Sequence, residues 1–223
     1  MPEIILQNHS YQYQITKKFV SRLTLRFVKN KILVTAPFLV PTSYILSFIK
    51  DHQSWILSHQ TKFDFKKITI LDKDYQLVIK KSARDSLVIF EDEQKIYLNS
   101  VSTSPASYLK IIDQKLRVHA LKLINFYLKD LAQTYHFKYQ RVSIRNQSTR
   151  FGSCSSVGNL SFNWQIVLLP FPLFRHVLLH ELTHTIHHNH SAKFWVQLSL
   201  ADPDYRTHNQ LLKKHAPQYF ISS

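Results

Sequence analysis

Up to about residue 100, apolar and polar side chains alternate with the two-residue period of half-buried strands. Leu23, Leu25 and Phe27 share one face, Val28-Lys29-Asn30-Lys31 offers a turn, and Ile32 and Val34 continue on a return strand, which predicts a β-hairpin. After Pro41 the period becomes helical: Ile45, Phe48, Ile49, Trp55 and Ile56 recur behind Thr42, a candidate cap. KITIL, YQLVI, SLVIF and KIYL then read as strands, separated by turn residues such as Asp72-Lys73-Asp74.

Near Ser100 the texture changes. VSTSPAS is polar and carries a proline, and the chain from there to His136 reads as one long helix. Leu109, Ile112, Leu116, Leu123, Tyr127 and Leu131 form its apolar stripe, with Lys110, Lys115, Arg117, Lys122 and Lys129 on the other faces. VSIRN and NLSFNWQIVLL read as strands on either side of STRFGSCSSVGNL, and Pro170 and Pro172 introduce another helix, as first-turn prolines do. The expected class is α+β, with an amino-terminal β-rich domain containing one helix over 1–102 and a more helical domain with a small antiparallel sheet over 103–223. No internal repeat is expected.

The chain has 223 residues, 44% of them apolar, enough for a substantial core. Cys154 is its single cysteine, so no intramolecular disulfide forms, and neither a secretory leader nor an 18-residue apolar span is evident. A soluble cytoplasmic protein without a membrane partner is the expectation. The 29 Lys and Arg against 14 Asp and Glu give a formal +15, which makes nucleic acid a plausible partner and is equally compatible with a solvated basic surface. Only two glycines occur, Gly152 and Gly158, both in STRFGSCSSVGNL, which marks that segment for a tight turn or close approach.

HELTHTIHHNH, residues 180–190, holds five histidines and one of four glutamates. In a helix His180 and His184 project to the same side about one turn apart, so both reach one ion. Glu181 lies about 100° around, beside the pair, where it can accept a proton from water without being a ligand. A catalytic zinc wants three protein ligands and an open position. His176 and His187 would lie in a row with the first two and could not surround an ion. A ligand from the side requires the chain to leave the helix, and His188-Asn189 offers a stop because asparagine tolerates the left-handed C-terminal conformation. His180, His184 and His190 are therefore the expected ligands, with Ser191 capping a further helix, SAKFWVQLSL.

HELTHTIHHNHSAKFW, preceded by STRFGSCSSVGNLSFNW and followed by DPDYRTHNQLL, resembles the YgjP-like metallopeptidase family, zinc-dependent proteins related to the SprT-like and Wss1-like proteases. SRLTLRFVKNKILVTAP and the helix ending in SWI extend the similarity over nearly the whole chain. Members usually read R-W-G-S-C-S; Phe151 stands in the tryptophan place. The resemblance implies a zincin-like domain over 103–223, zinc on His180, His184 and His190, and Glu181 as catalytic base. The lone methionine, Met1, excludes a metzincin with its methionine turn.

Amide hydrolysis needs a donor for the oxyanion, and Arg150, Asn163, Tyr205 and His208 are the candidates, Tyr205 foremost because a phenol donates without titrating near neutrality. Arg150 and Asn163 are also candidate substrate-binding residues. NLSFNW is expected beside the metal helix, where an edge could pair with an extended peptide. Cys154 as a fourth ligand is less expected than a small buried side chain, and Phe194 and Trp195 are expected to pack on the metal helix. Three functions compete: a zinc endopeptidase, a nucleic-acid module with structural zinc, which would need four ligands, and a protease recruited to DNA.

Overall fold

The alternation at the start of the chain produces four strands, β1 (Glu3–Leu6), β2 (His9–Lys18), β3 (Thr24–Val28) and β4 (Lys31–Pro37), in the order β1-β2-β4-β3. β1 with β2 and β3 with β4 are antiparallel, while β2 with β4 is parallel. Period two sends Ile4, Leu6, Tyr11, Ile32, Val34 and Ala36 into one core, which α1 (Thr42–Asp51) and α2 (Gln53–Ser58) complete with Ile45, Ile49 and Ile56. Thr42 opens α1 instead of capping it, Pro41 standing at the cap without a side-chain bond. The expected single helix is two, because the chain turns at His52, whose Nδ1 and backbone N–H both meet the Phe48 carbonyl. This computed structural model describes residues 2–7, 9–28, 31–58, 65–145 and 150–219, so Lys29 and Asn30 of the expected turn and Asn146 of VSIRN lie outside the described residues.

The next four strands, β5 (Lys67–Ile70), β6 (Lys73–Lys81), β7 (Ser86–Phe90) and β8 (Lys95–Ser100), follow the same path in the order β5-β6-β8-β7, with the same alternation of antiparallel and parallel pairs. Ile68, Ile70, Tyr75, Ile96, Leu98 and Ser100 are buried where Ile4, Leu6, Tyr11, Ile32, Val34 and Ala36 are buried in the first sheet. The register agrees too: Tyr11 faces Ile4 as Tyr75 faces Ile68, and Tyr13 faces Ile32 as Leu77 faces Ile96. Each sheet leads into a helix. This duplication overturns the expectation of a chain without repeats. The sequence conceals it because most paired positions share only size and polarity, and consecutive letters recur only at Tyr11-Gln12 with Tyr75-Gln76 and at Lys31-Ile32 with Lys95-Ile96.

The chain packs as two units, one up to residue 63 and one from residue 64 on, whereas the change of texture placed the division at 102. The reason is α3 (Pro105–Thr134), which packs on β7 and β8 of the second sheet. The polar segment near Ser100 is a strand-to-helix connection within one core. Ser104 caps α3, its hydroxyl accepting from the Ser107 N–H, with Pro105 in the first turn. Ile112, Leu116, Ala120, Ile124 and Leu128 form its buried spine, while Leu109, Leu123 and Tyr127 of the expected stripe are half-buried.

β9 (Val142–Arg145), β10 (Gly152–Cys154) and β11 (Leu160–Asn163) form the small sheet in the order β10-β11-β9. It is mixed: β11 runs antiparallel to β10 and parallel to β9. The strand expected through NLSFNWQIVLL ends at Asn163, whose Oδ1 accepts from the Gln165 N–H and turns Trp164–Leu168 into a fully buried 3-10 helix. There the Trp164 indole donates to Asp113 Oδ1 on α3 at 2.8 Å, and Arg117 reaches the other oxygen at 2.6 Å. α4 (Phe171–Thr183), α5 (Ala192–Ala201) and α6 (Tyr205–Tyr219) complete the chain. α4 has no side-chain cap of its own, Pro170 standing at that place. Asp72, from the β5–β6 turn, accepts the Phe171 N–H instead at 2.9 Å, while the Leu71 N–H reaches the Val167 carbonyl.

Asp113→Ala strands the Trp164 N–H in the core and removes the Arg117 partner. Urea unfolding is expected to show a loss of about 2–3 kcal/mol, with Asp113→Asn, which keeps an acceptor, losing less.

Candidate metal centre

α4 ends at Thr183, earlier than the stop expected at Asn189, and Asn189 is not among the described residues of positive φ. Two threonine hydroxyls mark the break. Thr183 Oγ1 donates back to the Leu179 carbonyl and Thr185 Oγ1 to the Leu182 carbonyl, both at 2.7 Å, the latter a carbonyl that a continued helix would give to the Ile186 N–H. The next N–H groups fall back on tight bonds, Thr185 to Leu182 and Ile186 to Thr183. His184 thus stands at the C-cap, its N–H still on the His180 carbonyl, so the two imidazoles keep their helical relation while the chain swings away. It returns at His190. Asn189 Oδ1 accepts from the Ser191 N–H, and Ser191 begins α5 without using its own hydroxyl as a cap.

The ligand atoms of His180, His184 and His190 all lie within 4.8 Å of one another, and among the described residues no further His, Cys, Asp or Glu joins them. Nε2 of His190 and Nε2 of His180 face each other at 3.0 Å. Burial, with the neighbouring His184, His176 and His190, pushes the His180 imidazole down to about 3, so it is neutral. Burial also lowers His184, whose Nδ1–H donates to the His187 carbonyl at 3.0 Å and so leaves Nε2 with its lone pair. Two imidazole nitrogens this close share a proton in one tautomer, or a cation when both present their lone pairs. Two nitrogens bound tetrahedrally at about 2.0–2.1 Å would stand about 3.3 Å apart, close to what is found. The donor set fits a divalent metal ion.

Aromatic rings support the three imidazoles. Phe194, fully buried on α5, has its ring centroid 5.0, 4.6 and 4.7 Å from those of His180, His184 and His190. Trp195 stacks on His190 at 5.4 Å, and Tyr205 stacks on Trp195 at 5.4 Å. The Tyr205 hydroxyl accepts from Arg206 Nε, and Tyr205 is not part of the cavity wall.

That cavity, about 580 Å³, lies beside the histidines, with Arg150, Gly152, His176, Glu181, Trp195 and Lys213 among its lining residues. Glu181 is buried at 6% exposure, and burial pushes its carboxyl up to about 7 against the opposing charge of Arg150. Gly152 explains how the carboxylate fits. A Cβ there would stand 2.7 Å from Glu181 Cγ and 2.9 Å from Cδ and Oε1. β10 therefore passes against the carboxylate with only a hydrogen between them, the close approach that the clustering of glycines foreshadowed.

Arg150 lies at the cavity, whereas Asn163 does not: it is spent on capping the 3-10 helix. β11, the expected edge for an extended peptide, is the central strand, and the edge beside α4 is β10. Cys154 is half-buried, its thiol pushed up to about 11 by burial and by Glu181, and it stands outside the histidine group. Sequence reasoning missed a second cluster. Asp202 Oδ2 accepts from His176 Nδ1 at 2.5 Å and from His208 Nδ1 at 3.0 Å, and His176 Nε2 faces Asn209 Oδ1. Burial would raise the Asp202 carboxyl, but those two hydrogen bonds outweigh it and hold the group below the usual carboxylate range. Sharing one carboxylate oxygen, the two histidines form a hydrogen-bonded knot tying α4 to α6. His208, an expected oxyanion donor, is committed to it.

The profile of the YgjP-like metallopeptidase domain matches residues 21–215. Among solved structures, the chain is similar to the metallopeptidase zymogen of Pyrococcus abyssi abylysin, at 18% identity and a TM-score of 0.38, over 42% of this chain and 95% of that one. It is likewise similar to the zymogen of Methanocaldococcus jannaschii jannalysin, at 18% identity and a TM-score of 0.37, over 42% and 96%. No curated protein matches it. No helix among the described residues is long and apolar enough to cross a membrane. The family match takes in β3 and β4 of the first sheet, the whole of the second, the glycine segment and the histidine helix, and the chain belongs to the YgjP-like metallopeptidase family.

Proposed function

We propose that the chain is a zinc-dependent peptidase in which His180, His184 and His190 hold the metal and Glu181 is the general base. One observation carries this reading: a buried carboxyl, for which Gly152 clears the space, adjoins a three-imidazole cluster at the wall of a cavity. A site built only to hold metal has no use for that carboxyl. Three imidazoles suit zinc, and three ligands beside an open cavity are the catalytic pattern, whereas a structural zinc calls for a closed set of four. Nothing in the site favours the nucleic-acid module.

Zinc bound there supplies Lewis acidity, acidifying water and polarising the scissile carbonyl. Glu181 takes the proton from the attacking water on its carboxylate and delivers it to the leaving nitrogen. A carboxyl poised near neutrality by burial can do both within one turnover. Arg150 on the cavity wall orients the substrate by its charge, and the edge of β10 aligns an extended peptide by main-chain bonding. Tyr205 acts through Trp195 on His190, as a positioning residue, in place of the oxyanion role that its chemistry first suggested.

Three measurements test this reading. Glu181→Gln is expected to bind zinc as the parent does, while cleavage of an unfolded protein falls by a factor of about a thousand; equal cleavage would sink the proposal. Gly152→Ala pushes the carboxylate aside without touching the histidines, so kcat/KM drops about a hundredfold at unchanged zinc content. Tyr205→Phe keeps the stacked ring and full activity, whereas Trp195→Ala weakens zinc affinity about tenfold, read by competition with a chelator.

A further inference from the structure

The first sheet carries a feature that its duplicate lacks. Because β2 and β4 are parallel, the loops that follow them lie at the same end of the sheet. Both loops end in apolar side chains: Phe19 is 98% exposed and Leu39 96%, and Phe38 is exposed beside them. The loops are held together, with the rings of Phe19 and Phe38 4.8 Å apart and Lys17 Nζ donating to the Phe38 and Val40 carbonyls. In the second sheet the equivalent loops read SARD and VSTS. There Asp85 accepts the Val101 N–H at 2.8 Å, a polar link in place of the aromatic pair. The fold therefore does not require an apolar tip. Leaving two large side chains almost wholly in water costs solubility without aiding the core, which marks the tip as a contact surface.

Charge identifies the partner. Lys18 and Arg22 are exposed next to the tip, and no acidic residue occurs between Glu3 and Asp51. A protruding apolar tip ringed by cations matches the boundary of an anionic bilayer, where apolar side chains enter the acyl region and lysine and arginine meet lipid phosphate or carboxylate. Nucleic acid would reward the cations and stacked rings but gives Leu39 nothing. We infer that the Phe19–Leu39 tip docks the protein onto negatively charged lipid surfaces. A surface contact needs no spanning helix, so the expectation of no membrane partner, drawn from the lack of a span, does not extend to it.

The test is co-sedimentation of the full chain with phosphatidylcholine vesicles, alone or with about a third phosphatidylserine. The protein is expected to pellet with the anionic vesicles and to stay in solution with the neutral ones. Phe19→Ser/Leu39→Ser and Lys18→Glu/Arg22→Glu should each reduce the partition coefficient about tenfold or more. Val118→Ser, at an exposed apolar position on α3, should leave it unchanged. Melting temperatures equal to the parent's show that the variants are folded. The inference is overturned if anionic vesicles do not bind the protein or if the serine variant binds them as well as the parent. It is equally overturned if that variant loses affinity for duplex DNA and not for lipid.

Discussion

Everything at the metal centre depends on where α4 stops. A helix carries two imidazoles to one ion but cannot wrap a third around it, because successive turns stack in a row. Here α4 ends at Thr183, the Thr185 hydroxyl occupies the Leu182 carbonyl, and the chain peels away at His184 and comes back at His190 from a different direction. The same break frees the His187 carbonyl to orient the His184 ring. Helix termination, ligand direction and tautomer thus follow from one local event, and Phe194 holds the three rings in place whatever lies between them.

Much of this was legible in the residue order. Strand and helix periods located β3 to β8, α3 and α4, and the impossibility of three collinear ligands pointed to His190. The stop was misplaced because asparagine is the commoner C-terminal signal, while a threonine hydroxyl competing for a carbonyl depends on rotamers that no periodicity records. Gly152 was noticed as unusual, yet only coordinates reveal that its missing Cβ makes room for Glu181. The Asp202 knot joins residues from α4, the end of α5 and α6, and each alone looks like an ordinary surface histidine or acid.

The duplicated sheet shows how little sequence a fold needs. Both copies keep a tyrosine, isoleucines and a small residue at the buried positions, and almost everything outside them has diverged. What differs is use. The second copy offers α3 a surface to pack on and anchors the 3-10 helix through the Leu71 N–H, while the first closes over its own pair of helices.

The cap supplied by Asp72 has a consequence for modularity. The helix bearing the histidines begins at a proline with no acceptor of its own, and the carboxylate that completes its first turn comes from the opposite side of the compositional seam. A negative charge at that end also complements the helix dipole. The half of the chain that holds the three clustered histidines is therefore not portable. Severed at the seam near Ser100, it would leave behind the anchor of its own histidine helix.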